Sequence, residues 1–120
     1  MRVIVIDPEK RIVFEKDIGA ANDEAANDEI RAIIDGWLEM AAFHVVCDDV
    51  QNVMWANEEG LCRDSNYFFA IEWGPQAYAG TCVFTGMKMG EEGYEMCGCT
   101  LPVEEVRQRI AFLGLRRIIG

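Results

Sequence analysis

Two cysteines one residue apart, Cys97-Gly98-Cys99, come nearest to a metal-ligand signature in this chain. Zinc takes four thiolate or imidazole ligands, and structural sites present them as two spaced pairs. Here one tight pair stands among scattered singles: Cys47, Cys62, Cys82 and the sole histidine, His44. A zinc-stabilised module drawing on Cys97, Cys99 and Cys62 is a weak alternative, because Cys47 and Cys82 read equally well as small core hydrophobes. The odd cysteine count and the lack of any extracellular signal point to reduced thiols. A cysteine nucleophile needs a base beside it and a cation or helix end to ionise it. His44 near Cys47 is the one candidate pair, and no such cation is evident. Adjacent carboxylates occur at Asp48/Asp49, Glu58/Glu59 and Glu91/Glu92. Acid–base catalysis needs two carboxyls facing across a pocket in different environments, which neighbours in polar turns do not provide. No phosphate loop, dinucleotide fingerprint or His-Glu-x-x-His is present. The expectation is a protein that is not an enzyme and holds no cofactor.

A binding role has a better candidate. Gln51 to Ala56 reads as a strand that runs into the polar turn Asn57-Glu58-Glu59-Gly60. Asn tolerates left-handed backbone, and Gly gives positive φ without steric cost. Two neighbouring glutamates repel each other unless they are solvated, paired or aimed apart. A solvated hairpin turn explains the stretch, and so does a recognition loop fixed by a strand. Trp55 and Tyr67 lie close by in sequence, and with Asn66 they could line a groove for a flat ligand or a partner side chain. The candidate site is therefore Asn57, Glu58, Glu59, Gly60, Asn66, Trp55 and Tyr67.

Formal net charge is −10 and is unevenly placed: residues 1–64 hold 15 acids against 6 bases, residues 65–120 only 6 against 5. Asp23, Glu24, Asp28 and Glu29 form a second candidate surface. Such a chain is repelled by phosphate backbones, so direct nucleic-acid binding is disfavoured and a basic protein partner is favoured. Solubility alone also explains acidity. No apolar run is long enough to span a bilayer. Met1 to Ile6 is apolar but stops at Asp7-Pro8, which suits a first strand rather than a signal peptide, so a cytoplasmic location is expected.

The elements that must position these residues follow from periodicity. Arg2–Ile6 and Arg11–Lys16 read as a strand pair around the Asp7-Pro8 turn. Ile18–Ala21 leads to a helix capped at Asn22 or Asn27, with Ala26, Ile30, Ile33, Ile34 and Trp37 on its buried face. Leu38–Cys47 and the opening stretch read as strands joined by Asp48-Asp49. Tyr67–Ile71 is too short to assign. Tyr78–Thr85 reads as a fifth strand, and Met87–Gly98 as a loose hairpin or loop. Pro102 opens a last helix with Val103, Val106, Ile110 and Leu113 as its stripe and Gly114 as its stop. Leu115–Ile119 is a short tail that could dock as a strand. At 120 residues this is one α+β domain: two layers, a mainly antiparallel sheet of about five strands, and two helices on one side.

Ile33-Ile34-Asp35-Gly36-Trp37-Leu38-Glu39, then Asn57-Glu58-Glu59-Gly60 with Asn66 beyond it, then Ala79-Gly80-Thr81 and a closing helix, together resemble the family called domain of unknown function 3846. The resemblance covers most of residues 1–105. Asp35 stands where that family has the first of two glycines, and Leu61-Cys62 replaces the usual lysine after the turn. The resemblance implies a small accessory protein of phages or bacterial mobile elements, in the host cytoplasm. Such proteins often block host defence by binding. By that context an inhibitor with an acidic docking surface is the first expectation, and a nucleotide-like ligand sponge the second.

Overall fold

The computed structural model describes residues 1–20 and 22–118. The expected step into the helix at Ala21 and the tail end at Ile119 lie outside them. β1 (Arg2–Asp7) and β2 (Ile12–Asp17) form the expected antiparallel hairpin, Arg2 opposite Asp17 and Asp7 opposite Ile12. Asn22 caps α1 (Asp23–Ile34), its Oδ1 accepting from the Ala25 N–H at 2.9 Å. Asp35 ends that helix in the left-handed region at φ 61°. β3 (Leu38–Cys47) and β4 (Val50–Asn57) are joined by Asp48-Asp49, at φ 51° and 61°. Positive φ at both central residues is the twist-matched hairpin turn, and Asp tolerates it.

β5 (Ser65–Ile71) is the stretch too short to assign from sequence. After it come β6 (Ala77–Ala79), β7 (Cys82–Gly90), β8 (Gly93–Cys97), α2 (Val103–Gln108) and β9 (Ile110–Arg117). One sheet has the order β2-β1-β7-β4-β3, with β8 also pairing β7; a second has the order β6-β5-β9. Every pairing is antiparallel.

The α+β class and the mainly antiparallel pairing agree with expectation, but the layering and strand count do not. The large sheet has six strands rather than five, and it is covered on both faces. On one face, Ala26, Ile30 and Ile34 of α1 pack with Val3, Val5 and Val83. On the other, Ile4, Ile6, Met54 and Phe84 meet Phe69, Ile71 and Tyr78 of the small sheet and Val106 of α2. The two helices therefore lie on opposite sides, in three layers. The reason is legible in β1: Val3-Ile4-Val5-Ile6 is apolar on both faces, and a strand of that kind needs cover on both. Each fully buried phenylalanine, Phe69 and Phe84, contributes about 2–3 kcal/mol of burial.

Two local readings are corrected, and of the hairpin or loop expected at Met87–Gly98 the hairpin is what forms. The expected strand Tyr78–Thr85 is two strands in two sheets, broken at Gly80, whose φ is +81°. Met87–Gly98 is a regular hairpin of β7 and β8, Gly86 opposite Cys97 and Gly90 opposite Gly93. The last helix stops at Gln108, so Ile110 and Leu113 belong to β9. Gly114, φ +79°, is not its stop; it sits beside the β9 register shift opposite Phe68 and Phe69. Six helical residues offer too few hydrogen bonds to resist pairing with β5.

Candidate functional site

β4 leaves the core at Asn57, and the polar turn is built from that side chain outward. Asn57 Oδ1 accepts from the Glu59 N–H at 2.8 Å, an Asx turn, while Nδ2 donates to the Asp35 carbonyl at 3.2 Å. The backbone closes behind it: Gly60 N–H donates to the Asn57 carbonyl at 3.0 Å and Cys62 N–H to the Glu59 carbonyl at 3.0 Å. Glu58 N–H donates to the Trp37 carbonyl at 2.8 Å, which ties the turn to the α1–β3 connection. Gly60 is buried, and a β-carbon there would come within 3.0 Å of the Ala79 carbonyl. Asn66 completes the frame. Its Nδ2 donates to the Gly60 carbonyl at 3.0 Å, and its Oδ1 accepts from the Tyr67 N–H at 2.9 Å. Gly80 N–H then donates to the Tyr67 carbonyl at 2.8 Å.

Asn57, Gly60 and Asn66 thus hold three connections together. What they hold outward is Glu58 and Glu59, both exposed. Among the described residues neither carboxylate has an ion-pair or hydrogen-bond partner. Beside them Trp37 is 57% exposed and stacks under the Arg31 guanidinium, 3.7 Å from its ring centroid. Trp37 is not on the buried helix face expected of it. The left-handed turn at Asp35 ends the helix first, so the following residues leave its axis. The Asp35 side chain is itself 93% exposed, 4.0 Å from Arg63.

A cleft of about 190 Å³ opens behind the turn, lined by Asp35, Asn57, Arg63, Asn66, Tyr67 and Thr81 among others. Three residues of the sequence-derived site therefore meet there. The volume lies below the ~300 Å³ at which drug-sized ligand pockets begin. Trp55 is elsewhere: it packs on the α1 side of the sheet, and its Nε1 donates to Thr85 Oγ1 at 2.9 Å.

Three of the four helix acids lie on the surface. Asp23, Glu24 and Asp28 are exposed and Glu29 is half-buried. Asp23 also accepts from the Met96 N–H at 3.3 Å. The cysteines offer little chemistry. Cys62 is exposed on the loop after the turn, while Cys99 is buried and Cys97 half-buried on the far side of β7. Among the described residues no three His, Cys, Asp or Glu side chains come close enough to share a metal ion, so the zinc alternative on Cys97, Cys99 and Cys62 is set aside. Burial pushes the Cys82, Cys97 and Cys99 thiols above their ordinary range, away from the thiolate that a ligand or nucleophile requires. His44 and Cys47 sit three apart on one strand and face opposite ways.

Two positions of consequence were missed. Asn52 is fully buried, and it clamps the β3–β4 hairpin to the segment before α2. Its Nδ2 donates to Thr100 Oγ1 at 2.9 Å and to the Val45 carbonyl at 3.1 Å, and its Oδ1 accepts from the Thr100 N–H at 2.8 Å. An Asn between apolar residues of a strand was the available signal. For exposed Trp37 the signal was Asp35-Gly36, a helix stop placed before it.

The family described as a domain of unknown function, DUF3846, matches residues 1–107. No curated protein and no solved structure matches the chain. Among the described residues no helix is long and apolar enough to cross a membrane.

Proposed function

The chain belongs to the DUF3846 family, and we propose that it acts by binding, not catalysis, docking an acidic face onto a basic partner protein. One observation carries this reading. Glu58 and Glu59 are unpaired, yet the turn that presents them is fixed by Asn57, Gly60 and Asn66. Two solvated carboxylates on a fixed backbone turn are positioned to meet an incoming cation. Trp37 beside them supplies the aromatic anchor that interface centres favour. Glu24 and Asp28 extend the negative field along α1, which ends at Asp35 next to the turn. In a phage or mobile element, such a face suits inhibition of a host defence protein that itself grips nucleic acid, since it presents the same charge as a phosphate backbone.

The test begins with affinity capture from bacterial extract, followed by titration of the purified partner. Charge reversal of Glu58 and Glu59 to Lys is expected to weaken binding by about 2 kcal/mol or more, and rising salt to weaken the wild-type complex. Binding indifferent to both would overturn the proposal. At about 190 Å³ the cleft lies below the ~300 Å³ at which drug-sized ligand pockets begin, so native mass spectrometry of freshly purified protein is expected to show the bare chain mass; a stoichiometric nucleotide adduct would favour a ligand sponge instead.

A further inference from the structure

The outer edge of the large sheet is β3, and it is open. From Met40 to Cys47 it carries no Asp, Glu, Lys or Arg. The β2, β6 and β9 edges are blunted in the ways that usually prevent strand addition. β2 ends in Glu15-Lys16-Asp17, β6 is three residues long, and β9 carries Arg116, Arg117 and a register shift. On an edge strand every second residue turns its N–H and C=O away from the neighbouring strand, free to pair.

The two faces of this edge differ. The β3–β4 register shifts between Met40 and His44, and the strand bows there. On the α1 side of the bow lies a cavity of about 280 Å³ among Met40, His44, Val53, Met87 and Tyr94. On the small-sheet side lies a cavity of about 130 Å³ among Glu39, Ala41, Ala56, Gln76 and Tyr78. Val53 and Ala56 face opposite ways along β4, which assigns the cavities to opposite faces. The second cavity is the polar one. Tyr78, only 6% exposed, has a buried hydroxyl with no hydrogen-bond partner, and Glu39 is exposed at the rim.

We propose that β3 is a docking strand: an extended segment of a partner protein, alternating apolar and basic residues, adds to its outer edge. Apolar side chains enter the Met40–Met87–Tyr94 cavity, and basic ones point to Glu39. Main-chain bonds give affinity and the alternating pockets give specificity. The basic character of the segment rests on the acidic-face reading above, whereas strand addition does not. A second copy of the chain fits poorly. Self-pairing would bring together two chains that each carry a net charge of −10.

The probe is the peptide Lys-Val-Lys-Val-Lys-Val-Lys, with two analogues N-methylated at alternate residues in opposite phase and one with Glu in place of Lys. N-methylation removes peptide hydrogen bonds without touching the protein, so folding is not at issue. We expect the parent peptide to bind and to slow amide exchange in β3. One methylated phase should bind like the parent and the other lose about tenfold or more, and the Glu analogue should not bind. Equal binding of both methylated phases would sink strand addition while leaving the acidic face standing. Failure of the parent peptide to bind, or concentration-dependent dimerisation with β3 amides protected in the free protein, would overturn the proposal.

Discussion

The Asn57 side chain occupies the space where a β-carbon on Gly36 would stand: that carbon would lie 2.5 Å from both Asn57 Nδ2 and Oδ1. The pair explains why a glycine follows Asp35 although its own backbone is unremarkable. Asn57 must reach past it to the Asp35 carbonyl. Gly36→Ala would push the amide off both of its hydrogen bonds. We expect Gly36→Ala and Asn57→Ala each to cost about 1–2 kcal/mol in urea unfolding. The double variant should cost less than their sum by more than about 0.5 kcal/mol, because both remove one interaction. Strict additivity would show that the two do not act together.

Asn52 has a larger predicted effect. Asn52→Ala leaves the Thr100 N–H without its acceptor and opens a void in a fully buried place. A cost of about 3 kcal/mol is expected. The loss should show first as faster amide exchange at Thr100, since the Asn52 clamp is what ties that segment to the hairpin.

The surface acids should behave in the opposite way. Glu58→Lys and Glu59→Lys remove no contact within the fold, so stability should stay within about 0.5 kcal/mol of wild type. Trp37→Ala loses the Arg31 stack and about 1 kcal/mol at most. If the acidic face is the docking surface, these same variants should be the ones that lose partner binding. A large loss of stability in either glutamate variant would instead mark the turn as structural.

Alkaline pH tests the buried thiols. Burial raises the Cys82 thiol in the folded state, so the native chain keeps a proton that the unfolded chain releases. Stability is then full below the ordinary thiol pKa of about 8.5 and falls as pH rises above it, by up to about 1.4 kcal/mol per pH unit for each such group. The midpoint of urea unfolding under reducing conditions should drop between about pH 7 and about pH 10. In Cys82→Ala the fall should be shallower.

By itself the sequence determined the local units whose signals are short-range. The first hairpin, the Asn22-capped helix, the Asp48-Asp49 turn and the Asn57–Gly60 turn all rest on residues a few positions apart. Periodicity also implied the α+β class. Tertiary contacts decided the rest. Whether Ile110 and Leu113 were helix or strand depended on β5, which lies roughly forty residues away and offered hydrogen bonds that a six-residue helix could not match. Tyr78–Thr85 could be split between sheets only because Gly80 turns where Tyr67 holds it. The second cover layer was implicit in Val3-Ile4-Val5-Ile6, but what covers a face is not encoded in the strand that needs covering. The site shows the same division. Asn57 and Gly60 were legible as a turn. That their polar groups face inward, leaving Glu58 and Glu59 outward beside Trp37, follows only from where Asp35, Ala79 and Asn66 come to lie.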